Sequence, residues 1–411
     1  LTIANSGNND FSGPIAINNG TLVISNNSVI ANPLSGSGAL VKNGNGTLTL
    51  SGDGSAFNGP VSVNSGTLKV LNAASLATAS GVTIAERATL DIGNNNVALG
   101  LLPISVSGSG VSGSGAIINS SGYGGNAVAT SFQNVTLTGD TTIGGPGRLD
   151  FRSSDPNGGT DATLNTDGHA YKLTKVTGNT LQLGGVQVDA ALGDIDVQAG
   201  TLGIQGYMPS LGNPASNLTV FGGATLQFLN MAAEVNKVLV LKDGAIVNNS
   251  GGSTIYDGPV TLQGNGFFNV GGASLAFTNV ISGPGSLSKV AGAGTLTLSA
   301  PNTYTGDTLI SAGTLALTEP GTINTTPMIT VGSGATLDVY GRYDYTLTLL
   351  AGQTLAGSGT LNGYLTNSPA SILAPGTPAT LGTFTVVGDA TLMGTTVMKL
   401  DGASETSDAL H

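Results

Sequence analysis

Charged side chains that could support chemistry are concentrated in one part of this chain. Only 9% of the 411 residues are charged, so a local cluster stands out. Its members are Arg148, Asp150, Arg152, Asp155, Asp161 and Asp167. Neighbouring carboxylates can act as acid and base or bind a cation, and loops that leave a regular scaffold often carry specificity. The alternative interpretation of residues 120–168 is a pair of irregular coils with longer corners, and we favour it.

Residues 165–169 read Asn-Thr-Asp-Gly-His and resemble the Asn-Thr-Asp motif of polygalacturonase-type glycoside hydrolases. The resemblance implies inverting hydrolysis by an acid and a base that lie roughly 6.5–9.5 Å apart. Such enzymes also need further carboxylates, a Gly-His-Gly and an Arg-Ile-Lys. The chain has no Asp-Asp pair and neither of those two motifs. We therefore interpret residues 165–169, with Asp167 and His169, as a polar loop that leads into a strand.

Two further acidic patterns could bind a cation. Asp194 and Asp196 occupy alternate positions, so they share one face of a strand. The loop 155–161 places oxygen-bearing side chains at alternate positions, as calcium loops do, but it lacks the distal Glu of the helix-loop-helix calcium pattern. We expect a solvated strand face at Asp194 and Asp196. We predict no catalytic, cofactor-binding or metal-binding residue, and no cofactor.

Two other motifs have weaker chemical interpretations. The glycine-rich segment 108–115 resembles a phosphate loop, but it lacks the Lys-Ser/Thr ending and a following helix, which favours a corner. Tyrosines at 304, 340, 343 and 345 could form a strip on which sugars stack. We expect Tyr304 to belong to a repeated turn and the other three to cover the edge of a coil.

The composition indicates an all-β protein with an uncharged surface. Gly accounts for 65 residues, Cys and Trp are absent, and 39% of residues are hydrophobic. Thr, Ser and Asn supply most of the polar side chains, and helical runs rich in Ala, Glu, Lys and Leu are missing. The net charge of −11 and the scattered 12 Lys and Arg residues argue against nucleic-acid binding. No apolar run is long enough to span a bilayer.

The elements that would position any site are short strands in a repeated coil. Residues 292–317 contain two Gly-Thr-Leu strands, at 294–298 and 313–317, joined by an Asn-Thr-Tyr-Thr-Gly turn. Period-two alternation predicts that Leu, Val and Ile point inward, and that Thr, Ser, Lys and Asp point to water. Thr-Leu pairs recur roughly every 20 to 25 residues, which is the period of a solenoid. Gly, Asn and Asp supply the positive φ that tight corners need.

A unit longer than a single coil also repeats along the sequence. Residues 35–70 and 282–317 both run from a Gly-rich turn through a Leu-x-Lys segment into a Thr-Leu-Thr-Leu strand. Looser copies begin near Lys175 and within 1–24. We predict one continuous solenoid over residues 1–411, forming a single elongated rod. Its super-repeats cover about 1–119, 169–281 and 282–411, with an irregular excursion at about 120–168.

The segment 292–317 resembles the passenger-associated transport repeat of bacterial autotransporters, and 46–70 and 175–204 resemble it more loosely. Residues 372–410, with an Ala-Pro-Gly segment followed by coils, are similar to the region that leads toward the end of many such passengers. The resemblance implies a right-handed parallel β-helix that is exported and displayed on, or released from, a bacterial surface. The repeat carries no catalytic residue.

We therefore expect a non-enzymatic structural or adhesive element at the bacterial cell surface or outside the cell. Its partners would be host or neighbouring cell surfaces or their glycans. Two alternatives remain open: a carbohydrate-active β-helix enzyme with its site in 120–168, and a filament subunit that stacks end to end. The sequence begins and ends within coils, so we expect either an excerpt of a longer fibre or self-association through uncapped coils.

Overall fold

A computed structural model describes residues 2–3, 13–94, 96–122, 132–157, 159, 161–208, 210–401 and 406–411. The chain divides into two compact units, Leu1–Leu218 and Thr219–His411. Both units are built from short strands that pair in parallel with strands of neighbouring coils, so the prediction of an all-β solenoid of stacked parallel coils is confirmed. One continuous rod over residues 1–411 with three super-repeats stays a prediction.

The first unit consists of strands and two short 3₁₀ helices, Ala73–Leu76 and Val111–Gly113. Its strands are Thr2–Ile3, Ile15–Ala16, Thr21–Ile24, Ser28–Ile30, Leu34–Gly36, Ala39–Lys42, Thr47–Leu50, Ala56–Phe57, Pro60–Val63, Gly66–Val70, Gly81–Ile84, Ala88–Ile92, Ile104–Gly108, Ile117–Ile118, Asn134–Gly144, Leu149–Arg152, Ala162–Asn165, Leu173–Lys175, Thr180–Gly184, Val186–Val188, Ile195–Val197 and Thr201–Gln205. A further strand, Asn217–Val220, includes the residues at the boundary.

The second unit also consists of strands. They are Thr225–Leu229, Val238–Leu241, Ile246–Gly251, Ser253–Tyr256, Val260–Leu262, Gly266–Val270, Ser274–Phe277, Ile281–Ser282, Leu287–Ala291, Thr295–Leu298, Thr308–Ile310, Thr314–Thr318, Met328–Val331, Thr336–Gly341, Thr346–Leu349, Thr354–Gly357, Thr360–Asn362, Tyr364–Asn367, Ile372–Pro375, Thr383–Val387, Ala390–Leu392, Thr395–Thr396, Leu400–Asp401, Thr406–Ser407 and Ala409–Leu410. The pair Leu400–Asp401 and Thr406–Ser407 is antiparallel.

The predicted Thr-Leu strands stack in register within each unit. In the first unit Leu48, Leu68 and Leu90 face one another across adjacent coils. In the second unit Leu296 pairs with Leu315, and Leu315 pairs with Leu337. The leucines are fully buried, and the intervening threonines are partly exposed in Thr47–Leu50 and Thr295–Leu298. Burying each Leu contributes about 1.5–3 kcal/mol, so each coil is stabilised chiefly by the column of side chains that it shares with its neighbours.

Aromatic side chains pack against one another in the interior of each unit. In the second unit the ring of Tyr256 lies between those of Phe228 and Phe277, with centroids 6.0 and 5.7 Å apart. Phe268 meets Phe277 edge-on at 5.7 Å. In the first unit Phe132 and Phe151 form an edge-on pair at 5.4 Å. Edge-on and tilted pairs are favourable arrangements for aromatic rings.

Candidate functional site

A polar groove lies on the first unit. It has a volume of about 750 Å³. The groove forms where the long strand Asn134–Gly144 shifts register against Ile104–Gly108, with Leu137 opposite Val106 and Thr141 opposite Gly108. The intervening residues bulge out of the ladder. Lining residues include Glu86, Ser109, Thr138, Asp140, Tyr171 and Lys172.

Lys172 is the main cation of this groove, and neighbouring carboxylates hold it in place. Its Nζ donates to Asp196 Oδ2 at 2.9 Å, and its backbone N–H donates to Asp140 Oδ1 at 2.9 Å. The hydrogen bond and the charge of Asp196 raise the pKa of Lys172. The ammonium is therefore already neutralised. The groove offers hydroxyls, amides and one aromatic ring, which suit weak binding of a polar ligand.

The loop 165–169 lies next to this groove in sequence and is held by one carboxylate. Asp189 Oδ2 accepts hydrogen bonds from the backbone N–H groups of Thr166 and Gly168, each at 3.1 Å. These bonds, with one from the N–H of Ala191, lower the pKa of Asp189 to about 2. His169 stacks on Tyr171 with ring centroids 5.2 Å apart. The segment that resembles a hydrolase motif is thus a firmly tied polar corner.

Asp167 and His169 make bonds that belong to the corner itself. Asp167 Oδ1 accepts from Asn165 Nδ2 at 3.0 Å, and Asp167 has a φ of +52°. His169 Nδ1 lies 3.2 Å from the carbonyl oxygen of Thr166. Asn and Asp tolerate the left-handed region better than most residues. The sequence motif therefore has a structural explanation in turn formation.

In the charged cluster of 148–152, two partly exposed arginines pair with the buried Asp150. Arg148 holds Asp150 through two bonds, Nε to Oδ1 at 2.7 Å and Nη2 to Oδ2 at 3.1 Å. Arg152 Nη1 lies 3.9 Å from Asp150 Oδ2. Burial raises the pKa of Asp150, and the two guanidinium groups oppose that shift. Because the Asp150 carboxylate is almost fully buried, it is placed for structure and not for contact with a ligand.

The possible calcium loop 155–161 binds its own side chains. Asp161 accepts hydrogen bonds from the hydroxyl of Ser153, from Ser154 and from Gln133 Nε2, the last at 3.0 Å. The hydrogen bonds from the hydroxyls of Ser153 and Ser154 lower the pKa of Asp161. Asp155 Oδ1 accepts from the N–H of Asn157 at 3.0 Å. Residues 158 and 160 of this loop lie outside the described residues.

Asp194 and Asp196 act separately. Asp194 Oδ1 accepts from the N–H of Asn217 at 2.9 Å, while Asp196 pairs with Lys172. In the described part of the chain, no group of three or more His, Cys, Asp or Glu residues is arranged to hold a metal ion. Segment 108–115 contains the helix Val111–Gly113 and lines a second polar pocket with Arg87.

Of the candidate tyrosines, Tyr304 is buried and the others are on the surface. The Tyr304 hydroxyl is 2.6 Å from Thr308 Oγ1, and burial raises its pKa. Tyr340, Tyr343 and Tyr345 are exposed, and their covering the edge of a coil stays a prediction. Tyr340 and Tyr345 lie close together, with ring centroids 5.7 Å apart.

Buried lysines are a repeated feature that the sequence interpretation missed. Lys42 is fully buried at the end of its strand, although Lys was expected to point to water. Its Nζ donates to the carbonyl oxygens of Asn43 at 2.5 Å, Gly44 at 2.7 Å and Ser65 at 3.3 Å. Three N–H groups of the ammonium thus meet three carbonyls. Two of these carbonyls belong to the corner after Lys42 and one belongs to the next coil.

The same arrangement, which we call the lysine clasp, recurs at Lys175 and Lys289, both fully buried. In each case two carbonyls come from residues one to three positions after the lysine, and one comes from the next coil. The carbonyls are those of Val176, Thr177 and Ala199 for Lys175 and of Ala291, Gly292 and Ala312 for Lys289. Burial lowers the pKa of Lys42 and of Lys175 to about 8 and also lowers the pKa of Lys289.

A glycine in the next coil closes each clasp. Gly66 has a φ of +72°, and a Cβ there would lie 2.7 Å from Lys42 Nζ and 2.4 Å from the oxygens of Gly44 and Gly46. Gly313 has a φ of +64°, and its Cβ would lie 2.7 Å from Lys289 Nζ. Gly200, at +70°, is similarly crowded by the oxygens of Asn179 and Thr177. Only Gly satisfies both the backbone conformation and the space.

Gly66 begins the strand Gly66–Val70, and Gly313 directly precedes the strand Thr314–Thr318. The Gly-Thr-Leu motif therefore combines a glycine at the clasp with a partly exposed Thr and a core Leu. A family model of the passenger-associated-transport-repeat matches residues 1–24, 40–70 and 290–317. The chain carries passenger-associated transport repeats. These repeats and the β-solenoid fold both fit an autotransporter passenger. The clasp of Lys42 lies within the second matched range.

The passenger-associated transport repeats matched in the chain include three of the four copies that the sequence indicated. The fourth, 175–204, lies outside the matched ranges but contains a complete clasp at Lys175 and the closing Gly200. No curated protein and no solved structure matches the chain. Within the described residues, no helix has the length and apolar character to cross a membrane.

Proposed function

We propose that this chain is a non-enzymatic structural and adhesive element of a bacterial surface, part of an exported passenger. Stacked coils hold a scaffold on which uncharged side chains repeat at regular intervals. The partners would be the surfaces of host or neighbouring cells, or the glycans on them. Each contact is weak, and avidity increases with the number of contacts made at once.

The observation that carries this proposal is the set of passenger-associated transport repeats within a β-solenoid. A repeat of this family implies an exported protein. The bonding of the charged side chains supports a binding role. Asp150, Asp161 and Asp189 each accept hydrogen bonds from neighbouring residues, and Lys172 is paired with Asp196.

Two measurements on the source bacterium and the purified chain test the proposal. An antibody against the chain should label intact cells, and brief protease treatment of intact cells should remove the signal. Beads coated with the chain should adhere to bacterial or host cell layers more than albumin-coated beads do. Labelling that appears only after lysis, or adhesion equal to the albumin control, would contradict the proposal.

The alternatives are separated by two further measurements. Release of new reducing ends from polysaccharides, abolished in Asp167→Asn and His169→Ala variants, would identify a carbohydrate-active enzyme. Concentration-dependent growth of long assemblies in sedimentation velocity would identify a filament subunit. We expect neither result.

A further inference from the structure

Four exposed tyrosines lie on adjoining elements of the second unit. Tyr343 is 89% exposed, Tyr340 and Tyr345 are each 46% exposed, and Tyr364 is 40% exposed. The rings of Tyr340 and Tyr345 are 5.7 Å apart and inclined by 47°. Tyr364 pairs with Thr346, and its N–H donates to the carbonyl of Tyr345 at 2.8 Å. We call these four residues the tyrosine platform.

The corner that carries Tyr343 is held from several sides. Arg342 Nη1 donates to the carbonyl of Gly321 at 2.5 Å, and Arg342 Nε donates to Asp344 Oδ1 at 3.2 Å. The N–H of Tyr343 donates to Glu319 Oε2 at 3.2 Å. Asp344 Oδ1 also accepts from the N–H of Thr346 at 3.1 Å. The exposed rings therefore stand on an ordered backbone, which lowers the entropic cost of binding a ligand.

We propose that the tyrosine platform binds a neutral glycan chain. This inference rests on the proposed adhesive function and names the site and ligand class for it. A sugar ring has an apolar C–H face that packs on an aromatic ring and a rim of hydroxyls that needs hydrogen-bond partners. Tyrosine supplies a ring and a hydroxyl together. The carboxylate of Asp344, whose side chain is 52% exposed, accepts hydroxyl donors at the edge of the platform.

The charges around the platform favour a neutral glycan over an anionic polysaccharide or a second copy of this chain. Glu319, Asp338 and Asp344 adjoin the platform, and the nearby Arg342 already bonds to Asp344 and Gly321. The whole chain has a net charge of −11. An anionic polysaccharide would meet like charge at the platform, and so would a second copy of this chain. A neutral glycan meets no such repulsion.

The experiment uses the full chain and tyrosine fluorescence, which is accessible because the chain has no Trp. Probes are chitohexaose, mannohexaose and maltohexaose as neutral glycans and a hyaluronan hexasaccharide as the anionic comparison. We expect at least one neutral probe to bind, with an affinity at least about tenfold lower in Tyr343→Ala/Tyr345→Ala. Tyr343→Phe should retain most of the affinity because it keeps the ring.

Tyr207→Ala is the matched control, since Tyr207 is an exposed tyrosine of the first unit. It should bind each probe as the unchanged chain does, and circular dichroism should show that every variant is folded. The inference is overturned if no neutral probe binds, if hyaluronan binds more tightly, or if the double variant binds unchanged. If the unchanged chain and the Tyr207→Ala variant self-associate but the double variant does not, the platform binds a second copy of the chain, and the inference is also overturned.

Cell adhesion separates this inference from the function on which it rests. If coated beads adhere and the double variant adheres equally well, the platform fails as the glycan site while the adhesive function stands. If the unchanged chain does not adhere, the proposed function itself fails.

Discussion

At the scale of single residues, Lys42, Lys175 and Lys289 are the least expected feature of the interior. A buried ammonium is costly unless its N–H groups find acceptors, and Lys is rarely fully buried. Period-two alternation in fact places Lys42 on the same face as Leu40. The general preference of Lys for water argued the other way. Whether Lys42 is buried or exposed depends on where the carbonyls of the corner lie in three dimensions. No local sequence pattern reveals that placement.

Replacing the lysine of one clasp should destabilise the coil around it. In Lys42→Met the three carbonyls lose their donor, and we expect a loss of about 2–3 kcal/mol in local stability, because buried acceptors without partners are costly. Hydrogen exchange of the amides in Gly66–Val70 would report the loss. Lys242→Met, on a partly exposed lysine of the second unit, should leave its neighbours within about 0.5 kcal/mol.

The clasps should also give the protein an unusual pH dependence. The pKa of Lys42 and of Lys175 is about 8 in the folded chain, against an ordinary value of 10.5. Between these values the unfolded chain binds protons that the folded chain does not, so stability should rise with pH. Below about pH 8 this contribution is flat, because both states are protonated.

Urea unfolding at about pH 8 and about pH 10 measures that slope. The double variant Lys42→Met/Lys175→Met should show a smaller rise than the unchanged chain. An equal rise in the two proteins would show that the clasp lysines do not titrate in this range. The comparison stops near pH 10 because burial raises the pKa of Tyr256 and Tyr304, whose ionisation in the unfolded chain lowers stability at higher pH.

At the scale of strands and corners, the sequence predicted the period of the coils and the inward face of the strands. The spacing of the Thr-Leu pairs agrees with the observed pairing of Leu48 with Leu68 and of Leu296 with Leu315. The long strand Asn134–Gly144 was not predicted, because Gly139 and Asp140 are typical turn residues. There the pairing of neighbouring coils overrides the local preference. The groove at this bulge could not be predicted for the same reason.

Replacing the Gly of a Gly-Thr-Leu motif should destabilise the protein by more than the strain of its positive φ alone. Gly313 and Gly334 both have positive φ, +64° and +74°. A Cβ at Gly334 meets nothing within 4 Å, whereas one at Gly313 meets the clasp. Gly334→Ala should cost about 1–2 kcal/mol from strain alone, and Gly313→Ala should cost distinctly more. Equal shifts in the midpoint of thermal unfolding would contradict a special role for Gly313.

At the scale of the whole molecule, the amino-acid composition correctly indicated the fold class. Low charge, abundant Gly and a period of about 20 residues predicted stacked coils, and the parallel pairing confirms them. The division into units Leu1–Leu218 and Thr219–His411 had no counterpart in the sequence interpretation. The coil motif is similar on both sides of residue 218, so its pattern carries no mark of the boundary.

A surface with few charges should make solubility depend strongly on pH. The 23 Asp and Glu residues exceed the 12 Lys and Arg residues, and the sequence pI is about 4.3. Near pH 4.3 the net charge vanishes and little repulsion is left between molecules. We expect light scattering to rise sharply there and to fall again on return to pH 7. Scattering that is unchanged across this range would contradict the expectation.

The acceptors of the Lys42 clasp come from two consecutive coils. Its own corner supplies the carbonyls of Asn43 and Gly44, but the third acceptor, Ser65, arrives only with the following coil. Until the following coil packs against it, the ammonium of the clasp lysine lacks its third carbonyl acceptor. Packing of that coil supplies the acceptor, and its removal leaves the buried charge with only two acceptors, which is costly. Each clasp thus couples the stability of two consecutive coils, so that loss of the following coil should also destabilise the coil that carries the lysine.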